Sequence, residues 1–140
     1  MIKDYGPIFK NYGVGSITTT PDNKWLLATN IDGHLKQISL ESQQVVQYYG
    51  KIHDHPINCL ETTRDSKWLI TGSDDGYVKR ISVEKREVDK DLDQVCEDEI
   101  RRMKITADGE KLLVGDDEGR LKLISLRDGE VVKRFGKIHN

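Results

Sequence analysis

Three side chains that bind transition metals lie within seven residues of one another: His53, His55 and Cys59. Imidazole nitrogen and thiolate sulfur together form a plausible donor set for a transition-metal ion. Each residue also has an ordinary structural explanation, because His55 precedes Pro56 in a polar loop and Cys59 alternates with Leu60 in an apolar run. We therefore expect neither a metal site nor a bound cofactor.

Motifs that support catalysis in other proteins do not occur in this sequence. There is no Gly-x-Ser-x-Gly elbow, no phosphate-binding loop, no His-Glu-x-x-His pair and no Cys-x-x-Cys pair. The sequence offers no residues for a nucleophile, a general base or a phosphate cradle in a recognisable arrangement. We therefore expect a protein that is not an enzyme.

The charge balance limits the classes of partner. The 140 residues include 22 Lys and Arg against 24 Asp and Glu, and a formal net charge of −2 disfavours nucleic acid and anionic membrane surfaces. No apolar run is nearly as long as the roughly 18 residues that span a bilayer. The first ten residues also lack the apolar core of a secretory signal. Cys59 and Cys96 are too few for a disulfide framework. We expect a soluble, cytoplasmic protein with reduced thiols.

An internal repeat organises the chain. A shift of 43 residues aligns three copies without a gap, and unrelated segments would share fewer than about one identical column. Eight columns are identical in all three copies: Thr20/Thr63/Thr106, Asp22/Asp65/Asp108, Leu26/Leu69/Leu112, Gly33/Gly76/Gly119, Lys36/Lys79/Lys122, Ile38/Ile81/Ile124, Ser39/Ser82/Ser125 and Val45/Val88/Val131.

Each copy predicts four short strands separated by hairpin turns, because apolar and β-branched runs of four to seven residues alternate with turn residues. In the second copy the predicted strands cover 57–62, 67–71, 77–83 and about 87–91. A helical pattern is weak throughout. Its one candidate is a single turn within 95–105, before the first strand of the third copy.

The sequence contains Gly-Lys-Ile-His at 50–53, followed by Pro56 and Ile57, Thr-x-Asp-x-Lys-Trp-Leu at 20–26 and 63–69, Gly-Ser-Asp-Asp-Gly at 72–76, and the strand 78–83. These segments resemble the WD40 (WD-repeat) family. The resemblance implies an all-β fold in which each copy is a four-stranded antiparallel blade of a β-propeller. The expected blades cover about 12–50, 53–93 and 96–136 of a single domain, 1–140. All three copies have Ile-Ser where the family has Trp-Asp.

Three blades leave a propeller open, since these rings typically contain four to eight blades that cover one another. Two explanations remain. The chain is a segment of a longer propeller, or copies associate, with two chains giving six blades. Residues 1–11 and 137–140 resemble parts of neighbouring blades, because 5–8 is similar to 49–52 and 136–139 repeats 50–53.

The resemblance also implies a hydrogen-bonded network that locks each blade. In the second copy it assigns this role to His53, Thr71 and Asp75, while Ile81 cannot supply the indole donor of the family's Trp. The corresponding positions are Lys10, Ala28 and Asp32 in the first copy and Cys96, Val114 and Glu118 in the third. Only the second blade is therefore expected to retain most of the network.

In the propeller that the resemblance implies, the loops between blades and the turns between second and third strands share one end. Few bases are expected there, chiefly Lys51 and Lys137. The bases Lys24, Arg64, Lys67, Lys85, Arg86 and Arg127 are expected at the other end. Acidic turn residues also simply suit hairpins and solubility. The carboxylates expected at the first end are Asp32, Asp54, Asp74, Asp75, Asp93, Glu97, Asp98, Glu99, Asp116, Asp117 and Glu118.

Two functions follow from these features. The first is a non-catalytic scaffold whose acidic loop end binds protein or peptide partners with basic segments. The second is a self-assembling propeller fragment, excised or engineered, whose main property is ring closure as a homo-oligomer or with the other blades of a parent propeller. Neither function involves nucleic acid or a membrane.

The predicted network generates a first test. His53→Ala should lower the melting temperature clearly, because it removes a member of the hydrogen-bonded network, whereas Cys96→Ala at the equivalent position should lower it only mildly. Thermal unfolding of the two variants measures the difference. Equal shifts would contradict the assignment of a locking role to His53.

Overall fold

The computed structural model describes residues 8–9 and 13–137, and within them the secondary structure consists of strands and turns without a helix. Twelve strands form three four-stranded antiparallel sheets, each in sequential order. Blade 1 contains β1 (Val14–Thr19), β2 (Trp25–Asn30), β3 (His34–Ser39) and β4 (Val45–Lys51). Blade 2 contains β5 (Ile57–Thr62), β6 (Trp68–Ser73), β7 (Tyr77–Ser82) and β8 (Glu87–Gln94). Blade 3 contains β9 (Ile100–Ile105), β10 (Lys111–Asp116), β11 (Arg120–Ser125) and β12 (Val131–Lys137).

The all-β prediction and the three antiparallel blades are confirmed. In blade 2 the second strand begins one residue later than predicted and the fourth extends to Gln94. The single helical turn within 95–105 is not formed, because residues 97–98 bend between blades and β9 begins at Ile100. The proposed fragments of neighbouring blades at 1–7, 10–11 and 138–140 lie outside the described residues.

The hairpin that joins the first two strands of each blade is closed by its identical Thr and Asp. In blade 1 the Thr20 hydroxyl donates to Asp22 Oδ1 at 2.5 Å and accepts the Trp25 N–H at 3.2 Å. The same Asp22 oxygen accepts the Lys24 N–H at 3.0 Å. The pattern recurs at Thr63–Asp65 and Thr106–Asp108. These bonds lower the pKa of all three aspartates, with the threonine hydroxyl as the main cause. Polar turn residues therefore define the strand ends.

The core lies between the blades. For each blade we call the face toward the next blade in the chain its trailing face and the other its leading face. Leu27, Leu35 and Ile52 on the trailing face of blade 1 pack against the leading face of blade 2. The leading face of blade 2 contributes Ile57, Leu69, Ile81 and Val83. Full burial of one such aliphatic side chain contributes about 1.5–3 kcal/mol.

The second contact repeats the first one period later. Ile70, Val78 and Leu92 on the trailing face of blade 2 meet the leading face of blade 3. The leading face of blade 3 contributes Ile100, Leu112, Ile124 and Leu126. The innermost strands also lie side by side, with β1 next to β5 and β5 next to β9. The two large buried clusters therefore lie between blades, while Phe9 covers Ala28 and Ile38 on blade 1.

A glycine with positive φ lets each crossover between blades approach the preceding turn. Gly76 has φ 82°, and its carbonyl accepts the Val95 N–H at 2.9 Å. A Cβ at Gly76 would overlap the Cys96 carbonyl oxygen, and one at Gly33 would overlap that of His53. The identical Gly33/Gly76 positions thus follow from backbone conformation and from space together.

Gly76 and Gly109 allow the effect of the backbone conformation to be separated from the effect of the limited space. Gly76→Ala adds a steric clash to the unfavourable φ and should lower the free energy of unfolding by more than about 3 kcal/mol, or prevent folding. Gly109→Ala has a similar φ, 74°, but open space around its Cβ position, so it should cost about 1 kcal/mol. Urea denaturation measures both changes. Similar losses for the two variants would contradict the role assigned to the crossover.

Candidate protein-interaction site

At one end of the molecule, the turns between the second and third strands of the blades lie next to the crossovers between blades. The Ile52 N–H donates to the Gly33 carbonyl at 2.9 Å, and the Asp74 N–H donates to the Pro56 carbonyl at 3.0 Å. The Asp117 N–H makes the same bond to the Glu99 carbonyl at 3.0 Å. We call this surface the turn–crossover end. Its loops are fixed to one another by backbone hydrogen bonds.

His53 lies beneath this end and is 3% exposed. Its Nε2 atom is hydrogen-bonded to the Thr71 hydroxyl at 2.7 Å. The Asp75 carboxylate instead accepts the Ser73 hydroxyl and, at 3.2 Å, the Tyr77 N–H. The structure therefore joins His53 directly to Thr71, while the bonds of Asp75 hold the β6–β7 turn.

Burial, together with the weaker effect of the nearby Lys79 ammonium, lowers the pKa of His53 to about 4. The carboxylates Asp75, Asp91 and Asp54 act in the opposite direction but are weaker than the burial. His53 is consequently neutral near pH 7 in the folded chain. Its role here is structural, since a neutral imidazole bonded to a buried threonine hydroxyl locks strand β6 to the crossover that precedes β5.

The turns of blades 1 and 3 are closed by residues that the sequence analysis missed. In blade 1, Asn30 Oδ1 accepts the N–H groups of Asp32 and His34 at 3.0 and 3.1 Å. In blade 3, Asp116 Oδ1 accepts the N–H groups of Glu118 and Arg120 at 3.0 and 2.9 Å. The available signal was a polar residue at 30, 73 and 116, one period apart. The expected positions Ala28 and Val114 are buried, and Lys10 lies outside the described residues.

The identical lysine column also has a structural role at this end. Lys36 Nζ donates to the Ile8 carbonyl at 2.6 Å, and Lys122 Nζ donates to the Val95 carbonyl at 2.7 Å. Lys79 makes the equivalent bond to the Ile52 carbonyl. Each ammonium thus holds the chain segment that enters from the preceding blade. The sequence alone predicted no role for this column, and these bases were not among those expected at the turn–crossover end.

Two arginines form ion pairs with four carboxylates of blade 3. Arg101 contacts Asp117 at 2.8 Å and Glu99 at 3.4 Å, and Arg120 contacts Asp98 at 3.1 Å. Arg120 also lies 3.4 Å from Asp116, whose side chain is buried. The expectation of few bases at this end is therefore wrong for blade 3. Long arginine side chains from β9 and the start of β11 reach the turns, which a count of loop residues does not show.

The part of the end formed by blades 1 and 2 has a different charge distribution. Asp54 is exposed, and Asp32, Asp74 and Asp75 are partly exposed. The Asp74 carboxylate accepts a hydrogen bond from Asn58 Nδ2. Within residues 8–9 and 13–137, the ion pairs at the turn–crossover end all belong to blade 3. We call Asp32, Asp54 and Asp74 the acidic patch.

At the opposite end, acidic and basic groups are mixed. Arg86 lies over the Trp25 ring at 5.3 Å from its centroid, and Arg80 lies over the Trp68 ring at 5.0 Å. Arg80 also pairs with Asp89 at 2.6 Å. Because Asp22, Asp65 and Asp108 close the hairpins here, the bases expected at this end stand beside carboxylates.

Of the three candidate metal donors, His53 is buried, Cys59 is partly buried and His55 is exposed. No group of three or more His, Cys, Asp or Glu side chains suited to a metal occurs among the residues that the structure describes. Burial raises the pKa of Cys59 and of Cys96 to about 11, so both thiols are protonated near neutral pH. Both cysteines are free. No helix in the described ranges is long and apolar enough to cross a membrane.

Part of the chain is similar to a known repeat. Residues 45–80 match the family model described as WD domain, G-beta repeat. The match includes β4 and continues through β5 and β6 into β7, so one family repeat spans the junction between two blades. The match covers about a quarter of the chain and shows similarity to this repeat, and the three four-stranded sheets have the fold of propeller blades.

Solved structures share the fold at low sequence identity. The chain is similar to a chain of a structure titled Crystal Structure of Mitotic Checkpoint Complex, with a TM-score of 0.84, 20% identity and coverage of 97% of this chain and 40% of that one. It is also similar to hydrazine synthase of Kuenenia stuttgartiensis, with a TM-score of 0.79, 17% identity and coverage of 94% and 38%. The chain thus spans about two fifths of the length of each of these chains. No curated protein matches it in sequence.

The buried imidazole predicts a specific pH dependence. The folded pKa of His53 is depressed to about 4, so below the ordinary value of about 6.5 the unfolded chain binds a proton that the folded chain does not. Stability should fall by about 2–3 kcal/mol as the pH decreases from 7 to 4.5.

Urea denaturation across this pH range measures the slope. His53→Asn should remove most of it, whereas His55→Asn, which changes an exposed imidazole two residues away, should leave it unchanged. Parallel slopes in the wild-type chain and His53→Asn would contradict the assignment.

Proposed function

We propose that this chain is a non-catalytic protein-interaction scaffold. The observation that carries the proposal is the turn–crossover end, where hydrogen bonds fix exposed polar loops on a WD-repeat blade framework. WD40 domains generally serve as scaffolds, and a preorganised loop surface lowers the entropy lost when a partner binds. One similar chain belongs to a structure whose title names a complex, the Mitotic Checkpoint Complex. At 20% identity this likeness supports the fold that the proposal relies on.

The acidic patch is the proposed docking surface. Its carboxylates lie on neighbouring loops, and the Asp74 N–H is bonded to the crossover that contains Asp54. In blade 3 two arginines form ion pairs with four carboxylates, whereas no ion pair among the described residues involves Asp32, Asp54 or Asp74. The acidic patch therefore offers a basic peptide segment carboxylates that are not already engaged in ion pairs.

Other sequence-predicted acids have structural roles that make them weaker candidates for docking. Asp75 holds the β6–β7 turn, and Asp116 is buried beside Arg120. Asp98, Glu99 and Asp117 are engaged in the ion pairs of blade 3. The docking proposal therefore rests on the three residues of the acidic patch.

A second candidate function, ring completion by association, is favoured by the uncovered outer faces of the blade stack. Val14 and Ile17 on the leading face of blade 1 are 51% and 63% exposed, and Phe135 of blade 3 is 42% exposed. Exposed apolar clusters at the two ends of a repeat stack are typical of interfaces. Two copies would give six blades, which lies within the usual range for closed propellers.

The docking proposal is tested by charge reversal. A fluorescent peptide of alternating Arg and Gly residues should bind the wild-type chain at low salt, and Asp54→Lys with Asp74→Lys should weaken binding by about tenfold or more. The matched control, Glu41→Lys with Glu84→Lys, reverses two exposed charges in the β3–β4 and β7–β8 turns and should leave the affinity unchanged. Equal affinity for the wild-type chain and the acidic-patch variant, or equal losses in both double variants, would contradict the proposal.

A further inference from the structure

Equivalent apolar residues on the three leading faces differ sharply in exposure. Val14, Ile57 and Ile100 occupy the same position in the repeat, at the start of the innermost strand. Ile57 and Ile100 are 4% and 0% exposed because the preceding blade covers them, whereas Val14 is 51% exposed. Ile17 is 63% exposed, whereas its counterparts Leu60 and Met103 are partly buried against the interblade clusters. Val14 and Ile17 therefore occupy interblade contact positions that no described blade covers.

The internal interface shows where such residues insert. At Gly72 in β6, an added Cβ would lie 2.8 Å from Met103 Sδ and 3.2 Å from Ile100 Cγ2. The two side chains of blade 3 thus fill the space over this glycine. Gly72 and its surroundings form a socket on the trailing face of blade 2.

The same socket is open on blade 3. Gly115 stands one period after Gly72, and the nearest atoms to its Cβ position are Leu121 Cδ1 at 3.8 Å and the Arg102 carbonyl oxygen at 3.9 Å. A cavity of about 210 Å³ occupies this place. Its lining includes Arg101, Arg102, Gly115, Arg120 and Leu121.

A polar contact repeats with the same geometry. The Ser16 hydroxyl in β1 donates to the Ile57 carbonyl at 3.4 Å, and Cys59 Sγ in β5 lies 4.0 Å from the Ile100 carbonyl in the equivalent contact. Arg102 holds this position in β9, is exposed, and donates through Nη1 to the Arg101 carbonyl at 3.2 Å. A guanidinium has five N–H donors, so Arg102 retains donors for the first carbonyl of a following blade.

One position indicates the chemistry of the missing neighbour. Gln37 Nε2 donates to the Val83 carbonyl at 3.3 Å, and Arg80 Nη1 donates to the Leu126 carbonyl at 2.8 Å. The third member of this donor series is Leu123, which cannot donate. In a second copy, the residue equivalent to Val83 and Leu126 is Leu40, so an aliphatic contact between leucines would replace the hydrogen bond at this point.

We propose that the trailing face of blade 3 binds the leading face of blade 1 in a second copy of this chain. Val14 and Ile17 enter the cavity over Gly115, and Arg102 donates to the Val14 carbonyl. Ile8 and Phe9 pack against Ala28 and Ile38 and leave Val14 and Ile17 exposed. The proposal rests on the second candidate function, and two such head-to-tail contacts close a six-bladed ring.

A cysteine pair tests the contact directly. Ile17→Cys with Gly115→Cys should give a disulfide-linked dimer under mild oxidation, seen on a non-reducing gel at twice the 16.0 kDa of one chain. Gly72→Cys with Met103→Cys is the positive control, because these positions touch within one chain. Val88→Cys with Gly115→Cys is the negative control, since Val88 lies on β8, away from both end faces. The wild-type chain should not cross-link, because Cys96 is buried, Cys59 is partly buried, and both thiols are protonated near neutral pH.

Light scattering over a range of concentrations separates the possible outcomes. The wild-type chain should be a dimer, and Ile17→Arg should raise its dissociation constant by about a hundredfold or more, because a guanidinium would enter an apolar contact. Val88→Arg, at a position with 42% exposure, should leave the dimer unchanged. A wild-type monomer would overturn both the proposal and ring completion by association, and would favour blades of another chain as the neighbour. A dimer that persists in Ile17→Arg and does not cross-link would overturn this contact alone.

Discussion

The structure depends on the covering of each blade by its neighbours. A four-stranded sheet has two faces, and in this chain the large buried clusters lie between sheets. In blade 2, five of the six residues of β6 are buried, on both faces. In blade 3 the burial of β10 alternates residue by residue, as expected where one face is covered. The same repeat therefore yields different degrees of burial according to position in the stack.

The crossovers couple the blades to one another. A glycine with positive φ admits the crossover, its carbonyl accepts the incoming N–H, and the repeated lysine binds the carbonyl at the same segment. In blade 2 the neutral imidazole of His53 adds a bond to Thr71. These contacts give the loops above them a fixed arrangement. The proposed docking surface is a consequence of this arrangement, because its acidic side chains stand on loops that the crossovers hold in place.

The sequence predicted the features that repeat and missed those that depend on long side chains. Period, strand number and turn chemistry are local properties, so the blades and the hairpins closed by Thr and Asp could be derived from spacing. The ion pairs of Arg101 and Arg120 could not, because each connects a strand residue to a turn that the sequence places elsewhere. Asp75 was missed for a different reason, because the family resemblance placed it in a network with His53, whereas its carboxylate accepts hydrogen bonds from Ser73 and Tyr77 within its own turn.

The most direct test of this account is amide hydrogen exchange resolved by strand, measured on the Ile17→Arg chain so that both end faces are free of a second copy. The account predicts the slowest exchange in β6 and β7, which have a neighbour on each side, and clearly faster exchange in β10 and β11. Equal protection of blades 2 and 3 would contradict the claim that neighbouring blades determine stability in this fold.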